Sequence, residues 1–565
     1  MMEQTGAETL TRLLLAYKAN TIFGVPGGQT LSFYDSIADH APEIRHVLAR
    51  DEKAGGLMAV GFSRVSFHPG LCDATVGPGA ANLLPAVAEA YTGSVSMIAI
   101  TSNVTTESMG KGASQELDHF ALFRPFIKMS LRPKNVEDIP RTVSHAFKVA
   151  TSGRPGPVHL DLPQDILESR TEESLPVQAE QEYATYPSYR PRPQTTSTAR
   201  ARDLILVSSR PIILAGGGTI LSQAWDEVKS LAETIGAPVV TTLTGKGIID
   251  ENHPLSLGCV GRQGYRPSAN KALREADLIL ALGTKLGQVA TNDWTLIDEQ
   301  TKIIHVDIDP IETRKVYREE LAIVADIRST LRDLIETLSK SQIKPESPWL
   351  QKVRSLREEW VEKFKRSSTD ALSPAMVFNE IMKSLPAKSV LVTSGSFAGA
   401  FSGCFYNVRL SGPRFIAARG AGGTETALPL AVGAALGVQD KSRVMAVSGE
   451  GGFGYHVAEL ETARRIGLAL PVIVLNNRSL GWMKILQKER YGSNYMSSSY
   501  MDDLNYAKIS ESFGCKATRV ERASELRDAV AHAVELDEVF VVEIMIDPDE
   551  CSSTHLKSDP LAQNA

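Results

Sequence analysis

The chain has 565 residues, of which 43% are hydrophobic and 22% charged, with a formal net charge of −6. At about 100–200 residues per domain this length implies three or four domains, and the near-neutral balance without a basic tract excludes the signature of a nucleic-acid binder. Five cysteines, Cys72, Cys259, Cys404, Cys515 and Cys551, stand without CxxC pairing, which argues for reduced thiols in a cytoplasm over a zinc site or a disulfide framework.

The opening MMEQTGAETLTRLLLAYKAN lacks the basic start and apolar centre of a signal peptide and reads as an amphipathic helix. There is no run of about 18 apolar residues, so no membrane span is expected. Strand-like runs then alternate with helical segments: TIFGVPGG, LCDATVGPGAAN, SMIAITS, PIILAGGG, APVVTTL, ADLILALGTK, KIIHVDIDP, RVMAVSGEGG, LPVIVLNN and VFVVEIMI. Most are continuously apolar, as strands buried on both faces should be. The expected fold class is α/β, with three doubly wound parallel-sheet domains. Polar stretches over 171–199 and 339–372 read as linkers, the second carrying one charged helix, and divide the chain into 1–170, 198–338 and 373–550. The first and third blocks look alike in kind, with short strands ending in glycine turns.

In the first block FGVPGG (Phe23 to Gly28), ARDEKAGG (Ala49 to Gly56) and ATVGPGAAN (Ala74 to Asn82) follow one another. Glu52 by itself reads as a solvated carboxylate at a helix start. Glycine turns at strand ends shift that reading, because they let a backbone approach a ligand where open parallel sheets bind one. In the middle block LAGGG and TLTGKG suggest a dehydrogenase, yet no GxGxxG with a downstream ribose acid accompanies them.

In the third block SGEGG (Ser448 to Gly452) is expected to feed a helix over HVAELETARRIG, which makes a phosphate site. A carboxylate there, Glu450, would repel phosphate unless a hard cation lay between them. Mg²⁺ takes carboxylate, amide and phosphate oxygens. Asn477 can supply the amide oxygen, 27 residues after Glu450, the length of one turn, one helix and one strand. The Asn476-Asn477 pair alone would read as an ordinary turn.

On these residues the chain resembles the thiamine-diphosphate-dependent enzymes of the acetolactate synthase and pyruvate oxidase type. Gly449-Glu450-Gly451 and Asn476-Asn477 resemble that family's GDG…NN metal motif, with Glu in place of Asp. FGVPGG, RDEKAGG, GPGAAN, GKGASQELD, RPFIK and GRPGPVHLDLPQDI (Gly153 to Ile166) resemble its pyrimidine-binding domain. LAGGG, TLTGKG, ALGTKL and HVDIDP resemble its central domain, and the third block its diphosphate-binding domain.

The resemblance implies an enzyme that decarboxylates a 2-keto acid and ligates the acyl carbanion equivalent to a second carbonyl. Glu52 would be its catalytic glutamate, hydrogen-bonded to the pyrimidine of thiamine diphosphate in a dry pocket, with Gln115 and Lys128 on the substrate side. Pro26, Gly27, Gly28, Thr75 and Asn82 would join Glu52 in holding the cofactor from the first block. Gly422, Thr424, Gly449, Glu450, Gly451, Gly452, Asn477, Ser479 and Gly481 would hold it from the third. Glu450, Asn477 and the Ser479 main-chain oxygen would ligate Mg²⁺. Keto acid or aldehyde substrates and a homodimer or homotetramer with its active site between chains also follow, without nucleic acid or membrane. FAD in the central domain, along LAGGG, GRQG (Gly261 to Gly264) and GTKLGQVATNDW, stays open, as does ADP there.

The chain also departs from the family. Thr424 stands where a large aliphatic or Met wedges the cofactor, SGSFAGAF (Ser394 to Phe401) replaces a Gln-His pair, Leu486 takes the place of a Trp, and Ser114 that of a Phe. Substrate-facing positions change while cofactor-facing ones mostly persist. Two alternatives therefore remain: a related lyase or decarboxylase on another keto acid, 2-hydroxyacyl or acyl-CoA substrate, and a non-catalytic regulatory homologue. Glu450 is one methylene longer than Asp, about 1.5 Å of reach, so the loop is expected to back away or the side chain to bend.

Overall fold

The computed structural model describes residues 4–171, 175–262, 266–339, 347–367, 372–492, 498 and 504–547. The continuous Val/Ile/Leu runs form strands, and the segments between them coil into helices that cover the sheets. In the first module β1 (Gln4–Thr5) is followed by β2 (Thr21–Gly24), β3 (Arg45–Leu48), β4 (Gly70–Ala74), β5 (Met97–Asn103), β6 (Met129–Leu131), β7 (Pro157–Pro163) and β8 (Arg170–Thr171). Strands β2 to β7 make one parallel sheet in the order β3-β2-β4-β5-β7-β6. β1 and β8 pair antiparallel and tie the start of the module to its end.

The central module holds β9 (Pro211–Ala215), β10 (Val239–Thr241), β11 (Ser256–Cys259), β12 (Leu278–Leu282), β13 (Lys302–Asp307) and β14 (Leu321–Val324). The third holds β15 (Val390–Thr393), β16 (Phe415–Ala417), β17 (Val444–Gly449), β18 (Pro471–Asn476), β19 (Lys516–Val520) and β20 (Phe540–Met545). Their parallel sheets run β11-β10-β9-β12-β13-β14 and β16-β15-β17-β18-β20-β19. The first and third sheets thus share one permutation of strands, which gives structural content to their likeness in sequence. The central sheet has the order of a dinucleotide-binding fold. In the outer two sheets the order reverses between β2 and β4, and between β15 and β17. Such switch points open a crevice beyond the carboxyl ends of the strands.

One hydrophobic core runs through the first and third modules. Its centre is the helix Glu52–Ser66 lying on the helix Ala427–Gly437. ALPLAVGAALG is apolar all round, as a helix buried on every side must be. The two backbones nearly touch: a Cβ on Gly433 would lie 1.8 Å from Met58 O, and one on Gly61 2.0 Å from Leu430 O.

Both polar stretches read as linkers pack more firmly than their composition suggests. Tyr183 and Tyr186 are buried, and the Tyr186 hydroxyl donates to Ser63 O at 2.6 Å. The helix Pro348–Ser367 inserts Trp349, Val353 and Leu356 into the central module, with Trp349 Nε1 donating to Pro211 O at 3.0 Å. Cys72, Cys259, Cys404 and Cys515 are buried free thiols, and burial pushes Cys404 up to about 12. Among the described residues, no helix is long and apolar enough to cross a membrane.

The central and third modules are pinned by a buried ion pair. Lys246 Nζ donates to both Glu251 oxygens, at 2.8 and 2.6 Å, and Glu251 also accepts the Val408 N–H of the third module at 2.8 Å. Lys246→Met would leave Glu251 only the more distant Arg266, 3.8 Å away, so we expect a loss of up to about 3–5 kcal/mol in unfolding free energy. Denaturant melts of that variant and of Lys246→Met/Glu251→Gln check this. The double variant should regain part of the loss, because the stranded charge is gone.

Candidate active site

The first-module half sits at the switch point between β2 and β4. The chain leaves β2 through Val25-Pro26-Gly27-Gly28 and β4 through Thr75 to Gly79. Gly27 packs on Thr75, where a Cβ would meet Thr75 Oγ1 at 2.2 Å, so only glycine allows these two turns to touch. Pro26 and Gly28 lie on the exposed crest of the same turn. Beyond β3, Asp51 caps the next helix by accepting the Ala54 N–H at 2.8 Å, and Glu52 occupies its first position. Glu52 is 9% exposed. Asn82 Nδ2 donates to Glu52 Oε2 at 3.2 Å, and Gly79 lies against its other oxygen. Gly27 and Thr75 thus touch across the two turns, while Gly79 and Asn82 meet Glu52.

Gln115 approaches through its backbone. A Cβ on Gly77 would meet Gln115 O at 2.2 Å, and Gln115 itself adopts φ +65°, a strained left-handed conformation for a residue with a side chain. Lys128, expected on the substrate side, is engaged elsewhere. Its ammonium donates to the carbonyls of Val149, Ser152 and Arg154 at 2.5–2.9 Å and closes the carboxyl end of the helix Ile139–Thr151.

The third-module half sits at the matching switch point between β15 and β17. Gly449 at the end of β17 pairs with Leu475 on β18, which brings Glu450 beside Asn477 and accounts for the 27-residue spacing. One helix was expected over HVAELETARRIG. The structure instead has the helix Glu450–Tyr455 and then Glu459–Arg465, divided where His456 Nδ1 donates to Glu425 O at 2.9 Å. Glu450 therefore opens a helix. Its carboxylate reaches across to accept the Ser479 N–H at 2.9 Å, and Asn477 Oδ1 accepts the same N–H at 3.1 Å. Two side-chain oxygens thus converge beside Ser479, whose own carbonyl accepts the Gly481 N–H at 2.8 Å. Burial pushes the Glu450 carboxyl up to about 7, although the N–H groups of its own residue, Ser479, Asn477 and Gly451 pull it down. A buried carboxyl beside an amide oxygen and a main-chain oxygen fits a hard divalent cation.

Gly449, Gly451, Gly452, Thr424 and Gly481 line the cavity around these oxygens. Gly452 must be glycine, since a Cβ would meet Thr424 O at 2.1 Å, and Gly481 lies equally close to the Asn477 amide. Among the described residues, the lining of this cavity comes from the third module alone. Its outer wall is aromatic. Phe397 stacks on Phe401, with ring centroids 5.3 Å apart, and meets Trp482 edge-on at 5.2 Å. Leu486 lies half-buried on the helix Gly481–Tyr491, beyond that wall.

Sequence reasoning missed Glu89. Its buried carboxylate, on the helix Pro78–Thr92, accepts the N–H groups of Gly420, Ala421 and Gly422 at 2.7–3.3 Å and holds the loop that leads to Thr424. An acid inside the apolar run AVAEAY was the available signal. A second cavity, of ≈ 1770 Å³ with its open mouth included, lies between the central module and the other two. Gly217, Thr244, Gly283 and Lys285 line it from the central module, Arg154 from the first and Arg419 from the third. Val260, next to Gly261, also lines it, whereas Gln263 and Gly264 lie outside the described residues.

Family models of thiamine pyrophosphate (thiamine diphosphate) enzymes match all three modules: the N-terminal TPP binding domain over residues 4–122, the central domain over 198–334 and the C-terminal TPP binding domain over 398–544. A probable acetolactate synthase large subunit of Methanocaldococcus jannaschii is 35% identical over 555 residues, covering 96% of this chain and 92% of that protein. The acetolactate synthase large subunit of Corynebacterium glutamicum is 33% identical, covering 96% and 87%. The large subunit of acetolactate synthase isozyme 1 of Escherichia coli is 31% identical, covering 97% and 94%. With two matching switch points, a buried glutamate at one and converging oxygens at the other, the chain belongs to the thiamine diphosphate enzymes of the acetolactate synthase large-subunit type.

Proposed function

We propose that this chain is a Mg²⁺- and thiamine-diphosphate-dependent carboligase that decarboxylates a 2-keto acid and joins the acyl unit to a second carbonyl, as an acetolactate synthase does. The observation that carries this reading is the convergence of the Glu450 and Asn477 side-chain oxygens on the Ser479 N–H at one switch point, with buried Glu52 beside the equivalent point of the sister module. Bound thiamine diphosphate supplies the nucleophilic carbon and the electron sink for decarboxylation. Glu52 holds a proton at the pyrimidine nitrogen, and Asn82 keeps the Glu52 carboxyl in place. Glu450, Asn477 and the Ser479 carbonyl would hold Mg²⁺, and Gly451 and Gly452 would hold the diphosphate with their N–H groups. The Phe397–Phe401 wall would turn an apolar face to the substrate.

The cavity around Glu450 takes its lining from the third module, and Glu52 sits among first-module groups. A complete site then needs two chains, and the working unit is a homodimer or a tetramer built from it. The central cavity, with its dinucleotide-type sheet, takes FAD or ADP. Mass spectrometry of the denatured protein is expected to release thiamine diphosphate together with one of these two. With pyruvate as sole substrate, acetolactate or acetoin should accumulate. Acetaldehyde alone would make the chain a decarboxylase, and no turnover would remove pyruvate as the substrate. The Phe397–Phe401 wall favours a second reading, in which the keto acid carries a larger apolar group than pyruvate.

A further inference from the structure

A polar chain that the proposed chemistry does not use runs from half-buried Arg132 to the turn beside Glu52. Arg132 Nε donates to Asp161 Oδ2 at 2.6 Å, and its Nη2 pairs with the same oxygen. His119 Nδ1 lies 3.0 Å from Asp161 Oδ1, and its Nε2 lies 3.1 Å from the Gly77 nitrogen. A backbone N–H can only donate, so Nε2 is the acceptor. The proton of the neutral ring then sits on Nδ1 and is donated to Asp161. Both side chains are fully buried. Burial works against the Asp161 charge, yet the His119 hydrogen bond and the nearby His159 and Arg132 hold the carboxyl below the usual carboxylate range.

His119, His159 and Asp161 lie close enough together to hold a metal ion. Their ring nitrogens are already engaged, however: those of His119 by Gly77 and Asp161, those of His159 by Thr101 and Ser130. The cluster is a hydrogen-bonded relay that ends on a backbone amide. That amide opens the turn beside the candidate site. Gly77, at φ +68°, carries the backbone of Gln115 against it, and the position of a Cβ on Gly79 lies 3.1 Å from Glu52 Oε1. Asn82, on the helix that this turn begins, donates to the other Glu52 oxygen.

We infer that the Arg132–Asp161–His119 relay is a positioning device: by holding the Gly77 N–H it fixes the turn that seats both Glu52 and Gln115. The inference rests on Glu52 being the proton-handling acid of the proposed reaction. The test compares holoenzyme carrying His119→Leu, which loses the acceptor, with His119→Gln, whose side-chain oxygen can still accept from Gly77. Amide hydrogen exchange over residues 75–83 should become about tenfold faster in His119→Leu. Its kcat at saturating cofactor should fall about 10–100-fold, with KM within about twofold. His119→Gln should recover most of both. Unchanged exchange over 75–83 overturns the inference, and so does faster exchange with kcat unaltered. Arg132→Met, further from the turn, should move both readouts the same way by less, and it serves should His119→Leu fail to fold. If the parent enzyme turned over no keto acid, the proposed function would fall, while the exchange comparison would still decide whether the relay holds the turn.

Discussion

Glu52→Gln is expected to lower turnover by about 10²–10⁴-fold while thiamine diphosphate still binds. The amide matches the carboxyl in size and can go on meeting Asn82, so the pocket at the head of the helix Glu52–Ser66 should keep its shape. What it loses is the ability to share a proton with the pyrimidine. Steady-state kinetics paired with calorimetric titration of the cofactor separates the two effects. Loss of binding together with turnover would make Glu52 a cofactor-holding group only. Undiminished turnover would sink the mechanism assigned to Glu52.

The second large effect is expected at the metal. Asn477→Ala removes one of the converging oxygens and one of the two acceptors that hold the Ser479 N–H. Changes around metal ligands commonly cost about 10–100-fold in affinity, and loss of a ligand should reach at least that. Titrating thiamine diphosphate with and without Mg²⁺ measures it, and Mg²⁺-independent binding at parental affinity would refute the metal assignment. Glu450→Asp should keep or tighten binding, because Mg²⁺ suits a short, well-placed carboxylate. If it abolished binding, the reach from Glu450 to Ser479 would be a requirement of this site. Mixing Glu52→Gln subunits with Asn477→Ala subunits tests the assembly. A site shared between chains leaves one intact centre in each mixed dimer, so turnover should return. A site contained in one chain would leave every centre broken.

Much of this site could be read in the sequence, because its parts are local. A glycine turn at the end of an apolar run needs no tertiary knowledge, and the Glu450–Asn477 spacing follows from one strand–helix–strand unit. Other features were hidden because they join residues far apart in the chain. Glu89 holds a loop more than 300 residues away, and nothing around AVAEAY names its partners. Lys128 reads as a substrate-side cation in the sequence, which does not show that its ammonium donates to the carbonyls of Val149, Ser152 and Arg154. The polar stretch 171–199 reads as a free linker because its composition is poor in aliphatics, yet Tyr183 and Tyr186 anchor it. His119 drew no attention because its role depends on a glycine amide 42 residues earlier in the chain.

By itself the sequence determined the α/β class, the three-module alternation and the strand-end motifs that carry the resemblance to thiamine-diphosphate enzymes. Each of these depends on short-range pattern: apolar runs, glycine turns and the fixed length of a strand–helix–strand step. The tertiary structure alone decided that the outer sheets share one strand permutation and that each half-site lies at its switch point. It also decided that, among the described residues, the third module alone lines the Glu450 cavity, and that a polar relay ends on the Gly77 N–H beside Glu52. These depend on which strands become neighbours and which buried polar groups must find partners, and chain folding settles both across separations that local pattern does not record.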